Sequence, residues 1–195
     1  MLLKLYQAGQ PILRKPAKTL TREALVSDKV QGIIDFMIAT LRDAPGVGLA
    51  APQVGESLRI IIIEDKRSYH EQVPPELLKA QGRRPIRVQV LINPKLQVID
   101  PSPSLFFEGC LSVEGYVAAV SRAHSVRLDA WDRHGKPVAF TAHDWHARIL
   151  QHELDHLEGK LYTDRMLERS FMTVKNFALL WRKALSAKIA QAFRN

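Results

Sequence analysis

His152-Glu153-Leu154-Asp155-His156 carries two histidines four residues apart. On a helix that spacing puts both imidazoles on one face, where they can reach one metal ion. Glu153 lies about 100° round from His152, near enough to take a proton from water at such an ion without being a ligand. The competing reading is an exposed helix whose histidines and acids form surface pairs. Ile149, Leu150, Leu154 and Leu157 argue against it, because they surround the motif with apolar surface. The helix is then at least half buried, and buried imidazoles need partners. Two histidines still require a third ligand. Downstream candidates are Glu158 and Glu168; upstream stands Cys110, the one cysteine. A thiolate there gives a Cys-His-His site with one position open to water, whereas a free cysteine is more often a small buried hydrophobe. Around it, Phe107-Glu108-Gly109-Cys110-Leu111-Ser112 mixes apolar residues with a glycine that permits close backbone approach.

These residues need elements to position them. Ser27 to Asp43 reads as a helix, with Val30, Ile33, Ile34, Met37 and Leu41 at helical spacing and Pro45-Gly46 as its stop. Arg59 to Glu64 and Arg87 to Ile92 are rich in β-branched residues and read as buried strands. Between them, Lys66 to Pro85 is a long excursion with a short helix around Glu76 to Ala80. Val117 to Val120, Ser125 to Ala130 and Pro137 to Thr141 read as short strands, the last two joined by a turn over Asp132 to Lys136. Asp144 is the expected N-cap of a helix reaching Leu157, with Gly159 just past its end. Ser170 is the expected cap of a last helix to Phe193, with Phe171, Val174, Phe177, Ala178, Trp181 and Leu185 as its apolar face. Segregated helices and antiparallel strands indicate an α+β fold.

At 195 residues, 46% hydrophobic and 25% charged, the composition is that of one globular domain. No apolar run approaches the ~20 residues that span a bilayer, and the longest, Leu58 to Ile63, is strand-sized, so no membrane role is expected. One cysteine excludes an intramolecular disulfide and suits a reducing compartment. Met1 to Arg22 contains bases and no acid, like a transit peptide, but Pro11 and Pro16 break any amphipathic helix there. Cytoplasm is the expected location. The formal charge of +8 suits an acidic partner such as RNA, or simply a solvated basic surface.

With these residues in view, the chain resembles the peptide deformylase family at three separated places. Gly46-Val47-Gly48-Leu49-Ala50-Ala51-Pro52-Gln53 is similar to its first motif, Glu108-Gly109-Cys110-Leu111-Ser112 to its second and Gln151-His152-Glu153-Leu154-Asp155-His156 to its third. Gly9-Gln10-Pro11-Ile12-Leu13-Arg14 resembles its opening segment, which places the domain start where a transit peptide would have to lie. The resemblance, which covers about residues 5–168, implies an α+β fold of mixed antiparallel strands around a central metal-binding helix, to which the apolar spacing beyond it adds a C-terminal helix. The chain is then expected to divide into a catalytic domain over 1–169 and an amphipathic basic helix over 170–195. The resemblance also implies a metallohydrolase acting on linear amides, which frees nascent N-formylmethionyl peptides of formate in protein biosynthesis. Cys110, His152 and His156 are then the ligands of one ion per chain, Fe2+ in the cell, with Zn2+, Ni2+ or Co2+ able to substitute. Glu153 is the implied acid–base, and Gln53 with the Leu111 N–H would hold the formyl oxygen. Gly46, Gly48 and the strand at Glu108 and Gly109 would meet the substrate backbone. Glu114-Gly115-Tyr116 departs from the proline usual after the second motif, and with the long excursion and Trp145-His146-Ala147-Arg148-Ile149-Leu150 it resembles the organelle-related, type 1 branch. A bacterial cytoplasm is the expected setting, an organelle matrix the alternative.

Formamide hydrolysis requires a nucleophile at neutral pH, an oxyanion site and a proton for the amine, which this set supplies. Val47, Phe106, Trp145 and Ile149 are expected to line a methionine pocket, or else to be plain core. Arg122 is expected to fix a loop through a carboxylate. Lys175, Arg182, Lys183, Lys188 and Arg194 give the C-terminal helix a basic face that would contact ribosomal RNA, or merely be solvated. A metallopeptidase would favour a ligand beyond His156 and leave Cys110 idle; a structural zinc module would close with four protein ligands, and only three can be named.

Overall fold

The computed structural model describes residues 1–71 and 73–193, so Arg194 lies outside the described residues. In chain order the elements are α1 (Arg22–Leu25), α2 (Asp28–Asp43), β1 (Gly48–Ala50), β2 (Ile60–Asp65), α3 (Arg67–His70), α4 (Pro75–Ala80), β3 (Ile86–Cys110), β4 (Val113–Trp131), β5 (Pro137–His143), α5 (Asp144–Leu157), β6 (Met172–Thr173), α6 (Val174–Leu180) and α7 (Ser186–Phe193). The strands form an antiparallel meander in the order β1-β2-β3-β4-β5, with β6 added to β4. The fold is α+β.

The apolar run of β2 explains its central place. Side chains alternate across a strand, so Ile61 and Ile63 face the cluster that holds Ala147, Leu150 and Leu157 of α5. Ile60 and Ile62 face the cluster with Ile34, Met37 and Leu41 of α2. All four isoleucines are fully buried, each contributing about 1.5–3 kcal/mol of transfer free energy. Ser27 caps α2 by accepting the Val30 N–H at 3.4 Å. α5 is thus pressed flat onto one face of the sheet, with its inward side chains aimed at β1, β3 and β4.

Four local expectations need correction. Arg87–Ile92 is only the opening of β3, while Val117–Val120 and Ser125–Ala130 are parts of one strand, β4. In β3 the prolines at 94, 101 and 103 concealed the continuity. They fall at or beside register shifts between Ile92 and Lys95, Val98 and Asp100, and Asp100 and Pro103, and bulges of that kind tolerate residues without an N–H. Asp144 does not cap α5. It is the first helical residue, with φ of +52°, and its carboxylate lies 2.9 Å from His124 Nε2. The C-terminal stretch is two short helices, because the chain bends at 181–185 so that Trp181 and Phe193 close on each other at 4.7 Å and on Phe107. Ser170 caps neither helix; its buried hydroxyl accepts the Ala119 N–H at 2.8 Å and donates to the Leu167 carbonyl. Thr173 caps α6 by accepting the Asn176 N–H.

The far end of α5 is closed as expected. Gly159 has φ of +72°; its N–H donates to the His156 carbonyl and that of Lys160 to the Asp155 carbonyl, the paired bonds of a Schellman cap. A Cβ on Gly159 would lie 2.8 Å from the Arg14 carbonyl carbon. Gly159→Ala is therefore expected to cost at least ~1–2 kcal/mol from its left-handed backbone alone. Gly32→Ala, inside α2 with open space around it, is expected to gain ~0.8–1 kcal/mol. Thermal unfolding followed by circular dichroism should show melting temperatures displaced in opposite directions; a Gly159→Ala protein at least as stable as wild type would refute this account of the helix end.

Candidate metal centre and active site

α5 delivers His152, Glu153 and His156, and β3 ends in Cys110 just before the Leu111-Ser112 turn into β4. Cys110 Sγ lies 3.3 Å from His156 Nε2. One ligand atom from each of Cys110, His152 and His156 lies within 4.8 Å of the others. The set fits a metal: a thiolate with two imidazoles suits a first-row divalent ion, and three ligands leave a position open. The downstream alternatives stand apart, since Glu158 pairs with Arg59 at 2.8 Å and Glu168 begins a separate 3-10 turn.

Electrostatics favour a cation at the same point. Burial and the neighbouring positive charges push His156 well below its ordinary pKa, leaving it a neutral donor. Burial opposes charge on His152 too, but Cys110 and Glu108 outweigh it and hold the group well above its usual range. The Glu108 carboxylate accepts from His152 Nδ1 at 2.9 Å, which fixes the ring and leaves Nε2 to face the thiol.

Glu108 is itself held by a buried network. Arg122 donates to it through Nε at 3.0 Å and Nη2 at 2.8 Å, and Arg148 through Nη1 at 2.6 Å. Arg122 also reaches Asp155 at 2.5 Å, and Arg165 clasps the same carboxylate from outside. Burial would raise the Glu108 pKa, but the guanidinium groups and His152 hold it well below the carboxylate range. Arg122 thus has the structural role expected of it, tying β3 to α5 rather than fixing a loop.

Glu153 differs in kind. Burial, helped by the Glu108 charge, pushes its pKa up to about 7 against the opposing His152 and Arg122. Its Oε2 is buried with no hydrogen-bond partner among the described residues. A Cβ on Gly48 would lie 2.2 Å from Glu153 Oε1, so glycine at 48 is what lets β1 pass this carboxyl. Gln53 sits in the 3-10 turn Ala51–Val54; its Oε1 accepts the Ala50 N–H at 2.8 Å, and its Nε2 lies 3.2 Å from Ser112 Oγ and 3.5 Å from Cys110 Sγ. The Leu111 carbonyl accepts from Gln7 Nε2 at 2.9 Å.

These groups open on a cavity of about 850 Å³. Of the residues expected to face a substrate, Gly46, Val47, Gly48, Glu108, Gly109, Trp145 and Ile149 line it, as do Gln53, Leu111, Cys110, His152 and Glu153. Phe106 does not. It is buried with Leu105, Ala119 and Ile189 beneath the Arg148 guanidinium, and the next residue, Phe107, lines the cavity instead. The sequence reading did not single out Arg148, Asp155 or Gln7. Arg148 and Asp155 carried a usable signal, standing at −4 and +3 from His152 on one helix face; Gln7 carried none.

A family model described as polypeptide deformylase matches residues 2–171. Peptide deformylase 1A, chloroplastic, of Solanum lycopersicum is 48% identical over 173 residues, which is 89% of this chain and 62% of that protein. Peptide deformylase 1A, chloroplastic/mitochondrial, of Arabidopsis thaliana is 48% identical over 172 residues, 88% of this chain and 64% of that one. The chain therefore spans less than two thirds of the length of these plant relatives. A Met-Ala-Ser-bound crystal structure of class I type b peptide deformylase from Acinetobacter baumannii superposes with a TM-score of 0.75 at 31% identity, covering 85% of this chain and 99% of that one.

The buried carboxyl gives a signed expectation. The pKa of Glu153 is raised above its ordinary 4.5 to about 7, so ionising it costs the folded state of the metal-stripped protein. That cost is absent below about pH 4.5, grows as pH rises through 7 and is complete above it, reaching about 3 kcal/mol at 1.36 kcal/mol per unit. Glu153→Gln should therefore melt close to wild type at pH 5 and clearly above it at pH 8 in the presence of a chelator. Parallel melting curves across that range would exclude the effect.

Proposed function

The chain belongs to the polypeptide deformylase family, and from that premise we propose that it hydrolyses the formamide of N-formylmethionine on nascent polypeptides, releasing formate. The observation that carries this reading is the Cys110, His152 and His156 cluster with the buried Glu153 carboxyl beside it, whose Oε2 has no partner among the described residues. One divalent ion held by those three side chains, Fe2+ in our reading with Zn2+, Ni2+ or Co2+ able to replace it, would supply the Lewis acidity that makes water a nucleophile near neutral pH.

The remaining steps fall to the chain's own groups. Glu153 accepts the proton of the attacking water and returns it to the amine nitrogen as the C–N bond breaks; its burial, which disfavours the ionised carboxylate, suits a group that must hold that proton between the two transfers. Gln53 Nε2 and the Leu111 N–H donate to the formyl oxygen as it gains charge. The peptide enters as an added strand between Gly46–Gly48 and Glu108–Gly109. Support comes from the pairing: among the described residues β1 forms a strand ladder with β2 alone, and β2 leaves β3 at Ile92, so both flanking strands have an edge without a ladder partner beside the cavity. Glu108 contributes backbone to that strand, since its carboxylate is fully engaged with Arg122, Arg148 and His152. Val47, Trp145 and Ile149 take the methionine side chain.

Among the described residues no helix is long and apolar enough to cross a membrane. We place the protein in a bacterial cytoplasm; an organelle matrix is the alternative, given the plant relatives. Basic residues of the C-terminal segment, with Lys175 and Lys183 exposed, support contact with ribosomal RNA near the emerging substrate.

Freshly prepared, anaerobically handled protein loaded with iron, nickel or cobalt should deformylate formyl-Met-Ala-Ser. Glu153→Ala should abolish turnover with metal still bound, and Gln53→Ala should lower kcat/KM about 10²- to 10³-fold. No turnover with any of the three metals would sink the assignment. For the ribosome, Lys175→Ala/Lys183→Ala should weaken co-sedimentation at low salt; binding equal to wild type would count against that contact.

A further inference from the structure

The excursion between β2 and β3 returns to the head of α5. The Trp145 N–H donates to the Gln81 carbonyl at 3.0 Å. Gly82, with φ of +53°, passes so close to Asp144 that a Cβ would lie 2.4 Å from its carboxylate oxygen. Arg83 then turns inward. Its guanidinium donates twice to Asp65, at 2.8 and 2.9 Å, and lies 4.7 Å from the centre of the Trp145 ring. Asp65 is wholly buried at the end of β2, so the fork has a fixed anchor. Arg83 and Trp145 both line the cavity beside Val47 and Ile149.

The indole packs against the core cluster around Ile61, Ile63 and Ile149, contacts that have no direction of their own. Trp145 Nε1 is buried and has no hydrogen-bond acceptor among the described residues. One face of the ring is covered by a planar cation whose own plane is set by a bidentate carboxylate, a geometry that lysine cannot reproduce. We infer that Asp65 and Arg83 are positioning residues that hold Trp145 as a rigid wall, and that this wall makes the cavity select the first side chain of the peptide. The inference rests on the deformylase reading and adds to it the device that sets the preference. A fixed indole bounds the space open to a flexible, unbranched side chain such as methionine. Released, it would yield to a wider one such as phenylalanine.

The test compares kcat/KM for formyl-Met-Ala-Ser and formyl-Phe-Ala-Ser in wild type, Arg83→Met, Arg83→Lys and the double variant Asp65→Asn/Arg83→Met. The double variant removes both charges together, so no unpaired buried carboxylate is left to unfold the protein. The Met-to-Phe ratio should fall about tenfold in Arg83→Met and in the double variant, with Arg83→Lys recovering only part of it. A merely structural role would lower both constants together and leave the ratio where it was; an unchanged ratio overturns the inference. Acrylamide quenching of Trp145, read in protein whose other tryptophans Trp131 and Trp181 are replaced by Phe, should rise when Arg83 is Met, whether or not metal is present. If wild type turns over neither peptide, the deformylase reading fails by itself. Quenching then decides the clamp, and no rise overturns it.

Discussion

The carboxylate of Glu108 is the interaction on which the site geometry depends. It is buried between a strand and a helix and receives Arg122, Arg148 and His152 together. Apolar packing between α5 and the sheet stabilises the fold but has no direction, and could not by itself hold Cys110 at a set distance from two histidines on another element. The ionic network can. Cys110 lies two residues beyond Glu108 on β3, and His152 lies four beyond Arg148 on α5, so each end of the network is covalently next to a member of the proposed metal set. Buried ion pairs seldom add net stability over an apolar core of equal volume, because desolvation of the charges is costly. What this one supplies is registration, and Asp155, bridging Arg122 and Arg165, extends it along the helix.

Beside this satisfied carboxylate stands an unsatisfied one. Glu108 and Glu153 are both buried, yet their pKa values are driven in opposite directions, one by three cationic partners and the other by the lack of any direct one. A carboxyl that must both take and give a proton near neutral pH needs that second environment. The rest of the fold offsets its cost: the isoleucines of β2 and the Gly159 cap fix α5 at both its face and its end, so the helix tolerates an orphaned oxygen at its centre. Gly48 belongs to the same arrangement, because any side chain there would occupy the space of the Glu153 carboxyl.

Local periodicity made the central parts legible. The i, i+4 histidines and their apolar neighbours declared both the helix and its buried face, and the Ile60–Ile63 run declared a strand covered on two sides. Where spacing depends on tertiary choice, the sequence was silent or misleading. Prolines 94, 101 and 103 look like breaks, yet bulges absorb them and β3 runs on to Cys110. Phe106 and Phe107 are adjacent and equivalent in type, and only the path of the strand decides which reaches the cavity. Asp144 has the chemistry of a cap but takes a left-handed backbone to meet His124. The bend between α6 and α7 is imposed by aromatic closure of Trp181 and Phe193 around Phe107, contacts that no helical pattern encodes.

The cavity is held firmly at its centre and closed more lightly along one rim, and the difference has a physical reason. Glu153 and the two histidines stand on a helix with no exposed residue, and Cys110 is tied to that helix through Glu108 two residues away, so displacements of a fraction of an ångström are resisted by the core. One side of the outer boundary comes from a segment bound at few points. On one side Trp145 of α5 is fixed against Arg83, which Asp65 anchors; on the other Val174 and Tyr116 line the opening, with Tyr116 stacked on Phe171 at 4.9 Å and joined to β6 by a two-residue ladder. Segments bound at few points open more readily than a core strand or helix, which is suited to admitting a peptide of varied sequence. Proton transfer, in contrast, requires fixed distances. The chain meets both demands by leaving the β6 side of the rim bound at few points while the Asp65–Arg83 pair and the Glu108 network hold the opposite wall and the centre still.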